Sequence, residues 1–197
     1  MNEARPYHHG NLRSTLLQQA ESVLTERGIE GLSLRELARA TGVSNSAPRR
    51  HFADKTALLD ALAEEGYERL GRRLDEALEA AEGDFTQRLA VFARTYVEFG
   101  VEHRALLSLM HRPKTEARNA RLLAANDRAF AAPLRLLAEA RDQGDIEPDT
   151  SGRVDMTLLA LLQGLTVLAS TGMHGDLPLD ALVTGCVETL MSGLRPR

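Results

Sequence analysis

Three small polar residues and two arginines lie close together near residue 45 of this chain. They are Ser44, Asn45, Ser46, Arg49 and Arg50. Asparagine amides can pair with adenine edges, and arginine guanidinium groups can pair with guanine edges or with phosphate oxygens. The residue types and their spacing therefore indicate contacts to the bases or the phosphates of DNA.

The first of two short helices is predicted just before this polar run. Ser33 and Glu36 have the spacing of a capping box, in which each side chain bonds a backbone N–H group at the helix start. The helix itself is predicted over Leu34–Thr41. Gly42 ends it, because a left-handed conformation costs glycine almost nothing.

A second short helix is predicted to carry the polar side chains. Ser44 would cap it, and Pro48 would make its start irregular and similar to a 3-10 turn, since proline lacks a backbone N–H. Two helices joined by a tight turn form the layout that places a helix in a DNA groove. The alternative is a surface helical hairpin that binds nothing.

The N-terminal part of the chain resembles the TetR/AcrR family of bacterial transcriptional regulators. Three stretches that together fall within about the first 70 residues carry this resemblance: 7–13 (YHHGNLR), 26–38 (ERGIEGLSLRELA) and 51–59 (HFADKTALL). The resemblance implies an all-α fold, in which a three-helix DNA-binding head precedes a helical body that binds a small molecule and dimerises. It also implies a double-stranded DNA operator and repression as the usual outcome.

Two positions depart from the family pattern. Arg49 stands where the family usually has a tyrosine that touches the DNA backbone, and an arginine can bind phosphate or read guanine instead. In the stretch 161–165, Gln163 stands where one family branch has histidine, and the tryptophan of that branch is absent. Because of Arg49, we expect an operator different from those of close relatives.

Eight residues are the predicted DNA contacts, and three of them match family positions near the sugar-phosphate backbone. Those three are Ser33, His51 and Lys55. The alternative reading makes Ser33 and Ser44 helix caps only and His51 a packed linker residue. The complete set is Ser33, Ser44, Asn45, Ser46, Arg49, Arg50, His51 and Lys55.

Composition and charge limit the class of protein. The sequence has 197 residues and a net charge of −4. Residues 1–52 carry seven basic and five acidic side chains, so this segment is mildly basic and the rest of the chain is acidic. A mildly basic head on an acidic body suits a protein that touches DNA at one end. The lone Cys186 excludes an intrachain disulfide and a cysteine-based zinc site. We expect no apolar run of membrane-spanning length and no signal peptide, and hence a cytoplasmic protein.

Sequence breaks predict three segments. Residues 1–52 form an N-terminal arm and the helix-turn-helix domain, residues 54–80 form a connecting helix capped by Asp54, and residues 81–197 form the ligand-binding and dimerisation domain. The later helices are predicted over residues 85–101, 104–111, 115–143, 153–171 and 179–194, separated at glycines and prolines.

The last two predicted helices are unusually apolar. The helix over residues 153–171 is apolar around most of its circumference, so it must be buried on most sides. A two-fold four-helix interface between protomers accounts for this pattern, and an ordinary monomer core is the alternative. The predicted interface residues are Leu158, Leu162, Leu165, Leu179, Leu182, Val183, Cys186, Val187 and Leu190.

A small-molecule pocket is predicted between the helices of the body. Candidate apolar lining residues are Phe92, Phe99, Leu106, Met110 and Phe130, and candidate polar anchors are Tyr96, His103, Gln163 and His174. Each of these residues has plain core packing as its alternative role. The effector itself stays unidentified.

Other classes of protein are less consistent with the sequence. The histidines lack the spacing of a metal motif, Cys186 lies on an apolar helix face, and no serine occupies a G-x-S-x-G elbow. We therefore expect no enzymatic activity, no cofactor and no metal. A helical adaptor that binds protein through its head is the remaining alternative.

Overall fold

The computed structural model describes residues 12–112, 120–146 and 152–194, a set that leaves out the predicted N-terminal arm. Within these ranges the chain is helical and contains no strand, which confirms the all-α prediction. The α-helices are α1 (Leu12–Arg27), α2 (Leu34–Ala40), α3 (Lys55–Ala80), α4 (Phe85–Glu102), α5 (Arg104–Met110), α6 (Ala120–Ala129), α7 (Ala131–Gln143), α8 (Arg153–Thr171) and α9 (Leu179–Leu194). Two 3-10 helices, Ile29–Gly31 and Pro48–Arg50, supplement them.

The single helix predicted over residues 115–143 is wrong, because the described part of this segment forms two helices. α6 ends at Ala129, and α7 begins at Ala131 after Phe130 leaves the helical conformation. Pro133 lies in the first turn of α7, where its missing N–H has no intrahelical partner to lose. In one continuous helix its ring would crowd the carbonyl of Ala129, so the helix breaks there. Residues 115–119 of the prediction lie outside the described residues.

Contacts within the chain define two compact units, Met1–Gly66 with Ala105–Pro113 and Tyr67–Arg104 with Lys114–Arg197. The long helix α3 contributes to both units, and α5 after Arg104 belongs to the first. The predicted domain boundaries follow breaks in the sequence instead, and they remain a prediction.

The first unit has a core of leucines from its three longer helices. Leu16 of α1, Leu37 of α2 and Leu58 of α3 are almost completely buried. Ala38 is also fully buried, and its small side chain suits a close approach of α1 and α2, which are in contact. The core holds α2 as a platform for the turn that follows it.

The second unit is built around α4, which contacts α7, α8 and α9. Phe92, Tyr96 and Phe99 on α4 are buried in the core of this unit. A capping box fixes the start of α4: the Asp84 carboxylate accepts from the Gln87 N–H, and the Gln87 side chain accepts from the Asp84 N–H, both at 2.9 Å.

Candidate DNA interface and interior polar cluster

The start of α2 lacks the predicted capping box. Ser33 precedes the helix in an extended conformation, and its side chain makes no capping hydrogen bond. Arg35 and Glu36 in the first turn are exposed, so water can satisfy the N–H groups that the serine would otherwise have capped. The Ser33 hydroxyl therefore makes no hydrogen bond to the start of α2.

The turn after α2 follows the prediction. Gly42 has a φ of 70°, in the left-handed region that favours glycine. The N–H of Val43 donates to the carbonyl of Ala38 at 3.0 Å, and the N–H of Gly42 donates to Arg39 at 3.3 Å. These bonds close the end of α2 and direct the chain into the polar run.

The second element of the predicted pair is not an α-helix. Residues 45–47 form a turn, and Pro48–Arg50 form a single 3-10 turn. An α-helix capped by Ser44 would need an N–H at position 48 to bond the Ser44 carbonyl, and proline has none. The Ala47 N–H donates to the Ser44 carbonyl instead, at 3.0 Å. This bond spans three residues, which is the spacing of a 3-10 helix.

Ser44 does not act as the predicted helix cap. Its hydroxyl lies 3.2 Å from the hydroxyl of Ser46, within the same turn. The polar side chains of the run thus project from a turn and a 3-10 helix. The exposed members of the predicted DNA-contact set are Ser44, Asn45, Ser46, Arg49, Arg50 and His51, and the half-buried members are Ser33 and Lys55.

An open depression lies between α2 and the following turn. It has a volume of about 750 Å³ and is lined by Ser33, Arg35, Glu36, Arg39, Val43, Ser44 and Asn45. Arg35 and Arg39 belong to this surface, although the predicted set of DNA contacts does not include them. The two arginines are four residues apart on a predicted helix, and this spacing places them on the same exposed face. That spacing could have identified them from the sequence.

The segment after the 3-10 helix is anchored to the first unit. Phe52 is buried, and the guanidinium carbon of Arg13 lies 5.8 Å from the centre of its ring. Asp54 caps α3 as predicted, because its carboxylate accepts from the Ala57 N–H at 2.8 Å. Lys55 lies 4.0 Å from Glu30, an exposed and therefore weak ion pair.

A partly buried polar contact joins two helices of the second unit. The Gln163 amide of α8 donates to the Tyr96 hydroxyl of α4 at 3.0 Å. The rings of Phe92 and Phe130 lie 6.5 and 6.2 Å from that of Tyr96. Burial raises the pKa of the Tyr96 hydroxyl, and it raises the pKa of Tyr67 to about 12, so both stay neutral.

A charged cluster surrounds Phe99 in the same unit. The guanidinium groups of Arg69 and Arg73 lie about 6 Å from the Phe99 ring centre, and the His103 ring lies 4.9 Å from it. Arg73 donates twice to Glu102, at 2.7 and 3.2 Å, and this hydrogen bonding lowers the pKa of the Glu102 carboxyl.

The remaining candidate pocket residues lie elsewhere. Leu106 and Met110 are buried in the first unit, where a Cβ on Gly66 would lie 2.8 Å from the Met110 sulfur. His174 lies in the connection between α8 and α9, with its Nδ1 2.9 Å from the Gly175 carbonyl oxygen. Phe92, Tyr96, Phe130 and Gln163 are thus the part of the predicted pocket set that the structure brings together.

Five predicted dimer residues are already buried within their own chain. They are Leu158, Leu162, Leu165, Val183 and Val187. A side chain packed in the core offers little surface to a partner, so direct contacts by these five residues stay an untested part of the interface prediction. The half-buried residues Leu179, Leu182, Cys186 and Leu190 remain in it.

The opposite side of α8 is apolar and exposed. Met156, Leu159 and Val167 are 64%, 39% and 54% exposed. By length and composition, α8 is apolar enough to cross a membrane, contrary to the expectation that no such segment exists, and 22% of its apolar window is buried. One such helix is weak evidence for a membrane protein, because helices of soluble proteins pass the same test.

Comparison with known proteins places both halves of the chain in one family. The family model described as "Bacterial regulatory proteins, tetR family" matches residues 16–62. The model described as "Tetracyclin repressor-like, C-terminal domain" matches residues 89–192, which is more than half of the chain.

Individual relatives agree with this assignment. The chain is 47% identical over 51 residues to the tetracycline repressor protein class A from transposon 1721 of Escherichia coli, a match that spans 26% of this chain and 24% of that protein. It is 39% identical over 66 residues to the HTH-type transcriptional repressor AcnR of Corynebacterium efficiens, spanning 34% of this chain and 35% of that protein. These matches thus span only about a quarter to a third of the length of the curated relatives.

A solved structure matches over almost the whole length. A protein with unknown function from Rhodococcus sp. RHA1 is 41% identical with a TM-score of 0.85, and the match covers 98% of this chain and all of that one. The family models match the first helices and most of the helical body, and this structure shares the fold of both. The chain therefore belongs to the tetR family of bacterial regulatory proteins.

Proposed function

We propose that this protein is a cytoplasmic transcriptional repressor that binds a palindromic DNA operator as a homodimer and is released by a small molecule. The observation that carries the proposal is the set of exposed polar side chains in residues 44–50, directly after the turn that follows α2. The names of the matched relatives, a tetracycline repressor and a transcriptional repressor, support repression as the outcome.

Base reading is assigned to the turn and the 3-10 helix. Asn45 is suited to pairing with adenine, and Arg49 and Arg50 are suited to guanine or phosphate. Ser33 and Lys55 lie on the two sides of the run and would bind the sugar-phosphate backbone. The short element presents these side chains from a narrow surface, which fits a major groove.

The homodimer is assigned to the exposed side of α8 and the adjacent side of α9. Met156, Leu159 and Val167 form an apolar strip that a second copy would cover. A Cβ at Gly164 or Gly185 would meet no atom within 4 Å, so a partner helix can approach closely there. The two-fold symmetry of such a pair would present two reading elements to two half-sites.

The effector is assigned to the interior around Tyr96 and Gln163. This contact is surrounded by the rings of Phe92 and Phe130, and burial keeps the Tyr96 hydroxyl neutral. A largely buried aromatic environment disfavours an ion, because a charge there would lose much of its hydration. We therefore propose a neutral, mainly apolar effector with a group that hydrogen-bonds to the hydroxyl or the amide.

Selection of binding sites from a random duplex DNA pool tests this function. We expect a palindromic consensus, and an affinity for it that falls steeply as the salt concentration rises. No enrichment at low salt would contradict the proposal and favour the adaptor, which would bind protein through the same surface.

A further inference from the structure

The arginines of α2 differ from three arginines of the second unit in what they contact. Arg73, Arg94 and Arg141 each lie 2.6–2.7 Å from a carboxylate oxygen. Among the described residues, no ion pair joins Arg35 or Arg39 to a carboxylate, although Glu36 is their neighbour on α2. Exposed guanidinium groups without an internal partner are available to an external anion.

The position of Arg39 suggests which anion this is. Arg39 lines the same depression as Ser44 and Asn45, so it lies beside the turn assigned to base reading. In helix-turn-helix proteins the first helix of the pair crosses the DNA backbone while the second element enters the groove. A side chain of α2 next to the turn would therefore meet phosphates rather than base edges.

The charges around the depression favour this assignment. Arg35 and Arg39 bring two positive charges and Glu36 brings one negative charge, so the lining carries a net positive charge. The second element spans only three residues in its 3-10 turn and offers few backbone contacts of its own. Additional phosphate contacts from α2 would compensate for that shortness.

We infer that Arg39 is a phosphate-contacting residue that sets the affinity for DNA without selecting its sequence. This inference rests on the proposed DNA-binding function. It adds a contact from α2 to those of the turn, and it assigns Arg39 a role separate from that of Asn45.

The salt dependence of DNA binding tests the inference. The dissociation constant would be measured for a selected operator and a scrambled duplex of equal length, between about 50 and 200 mM salt. We expect Arg39→Ala to weaken binding to both duplexes by a similar factor. The slope of log affinity against log salt should become shallower by about 0.9 for each half-site bound.

Two variants serve as controls. Arg39→Lys keeps the positive charge and should keep most of the salt slope. Arg121→Ala removes an exposed arginine from α6, in the other unit, and should leave both affinities unchanged.

Three results would overturn the assignment of Arg39. They are an unchanged slope in Arg39→Ala, a loss confined to the operator duplex, and an equal loss in Arg121→Ala. Failure of the wild-type protein to bind either duplex would instead overturn the DNA-binding function, and it would be seen before any variant is compared.

Discussion

At the scale of single residues, the environment of each polar side chain separates structural from functional roles. The Tyr96 hydroxyl and the Gln163 amide meet in a partly buried position beside aromatic rings, whereas Asn45 and Arg50 are exposed to solvent. A buried polar group without a partner costs free energy, so an interior pair must be satisfied. An exposed polar group is hydrogen-bonded by water, so it needs no partner within the protein and can exchange that water for a ligand.

The Tyr96–Gln163 hydrogen bond predicts an energetic coupling. Removing the hydroxyl in Tyr96→Phe should lower the free energy of unfolding by about 1 kcal/mol, because the Gln163 amide loses an acceptor. A double-mutant cycle with Gln163→Leu, followed by urea denaturation, would isolate the pair. Strictly additive effects of the two substitutions would show that the contact contributes nothing to stability.

At the scale of elements, two glycines in α3 govern how closely other helices approach it. A Cβ at Gly71 would lie 2.9 Å from the Cα of Ala129, which is backbone of α6. A Cβ at Gly66 would lie 2.8 Å from the sulfur of Met110, at the flexible end of a side chain. Only the second neighbour can move aside at low cost.

Alanine substitutions at these two glycines should therefore have different effects. Both variants gain the same helix propensity, up to about 1 kcal/mol. Gly71→Ala should be the more destabilising, since overpacking against backbone costs about 1–3 kcal/mol. Thermal or urea unfolding of the two variants measures the difference. A Gly71→Ala protein at least as stable as the Gly66→Ala protein would contradict the close α3–α6 packing.

At the scale of the whole molecule, one chain buries one side of α8 and leaves the other side apolar and exposed. The buried side supplies core leucines, and the exposed side carries Met156, Leu159 and Val167. Large exposed apolar strips are uncommon on monomers and mark association sites. The exposed strip on α8 therefore supports the proposed homodimer, in which a second copy would cover it.

A charge placed in this strip should break the pair. Leu159→Glu is expected to shift the protein from dimer to monomer in sedimentation equilibrium at micromolar concentration, because burying an unpaired carboxylate is costly. Leu134→Glu, at an exposed leucine of α7, is the matched control and should stay dimeric. A monomeric wild-type protein would refute the dimer directly.

Local patterns in the sequence predicted most of the helices and the polar run. Apolar residues three and four positions apart mark the core faces of α3 and α9, and Gly42 and Asp54 mark helix ends through backbone bonds to near neighbours. Such features depend on interactions within a few residues. Pro48 predicts an irregular start of the second helix for the same reason. The structure goes further, because a 3-10 helix replaces the predicted α-helix there.

The sequence by itself determined the helical class, the family and the residue types available to touch DNA. Only the tertiary structure decided which side of α8 is buried, because an apolar helix can turn either face to its own core. It also decided that Leu158 and Val183 lie inside the chain, and that Arg39 shares a surface with Asn45. These outcomes depend on packing between segments that are distant in sequence or lie across a turn. The local spacing of apolar residues cannot predict that packing.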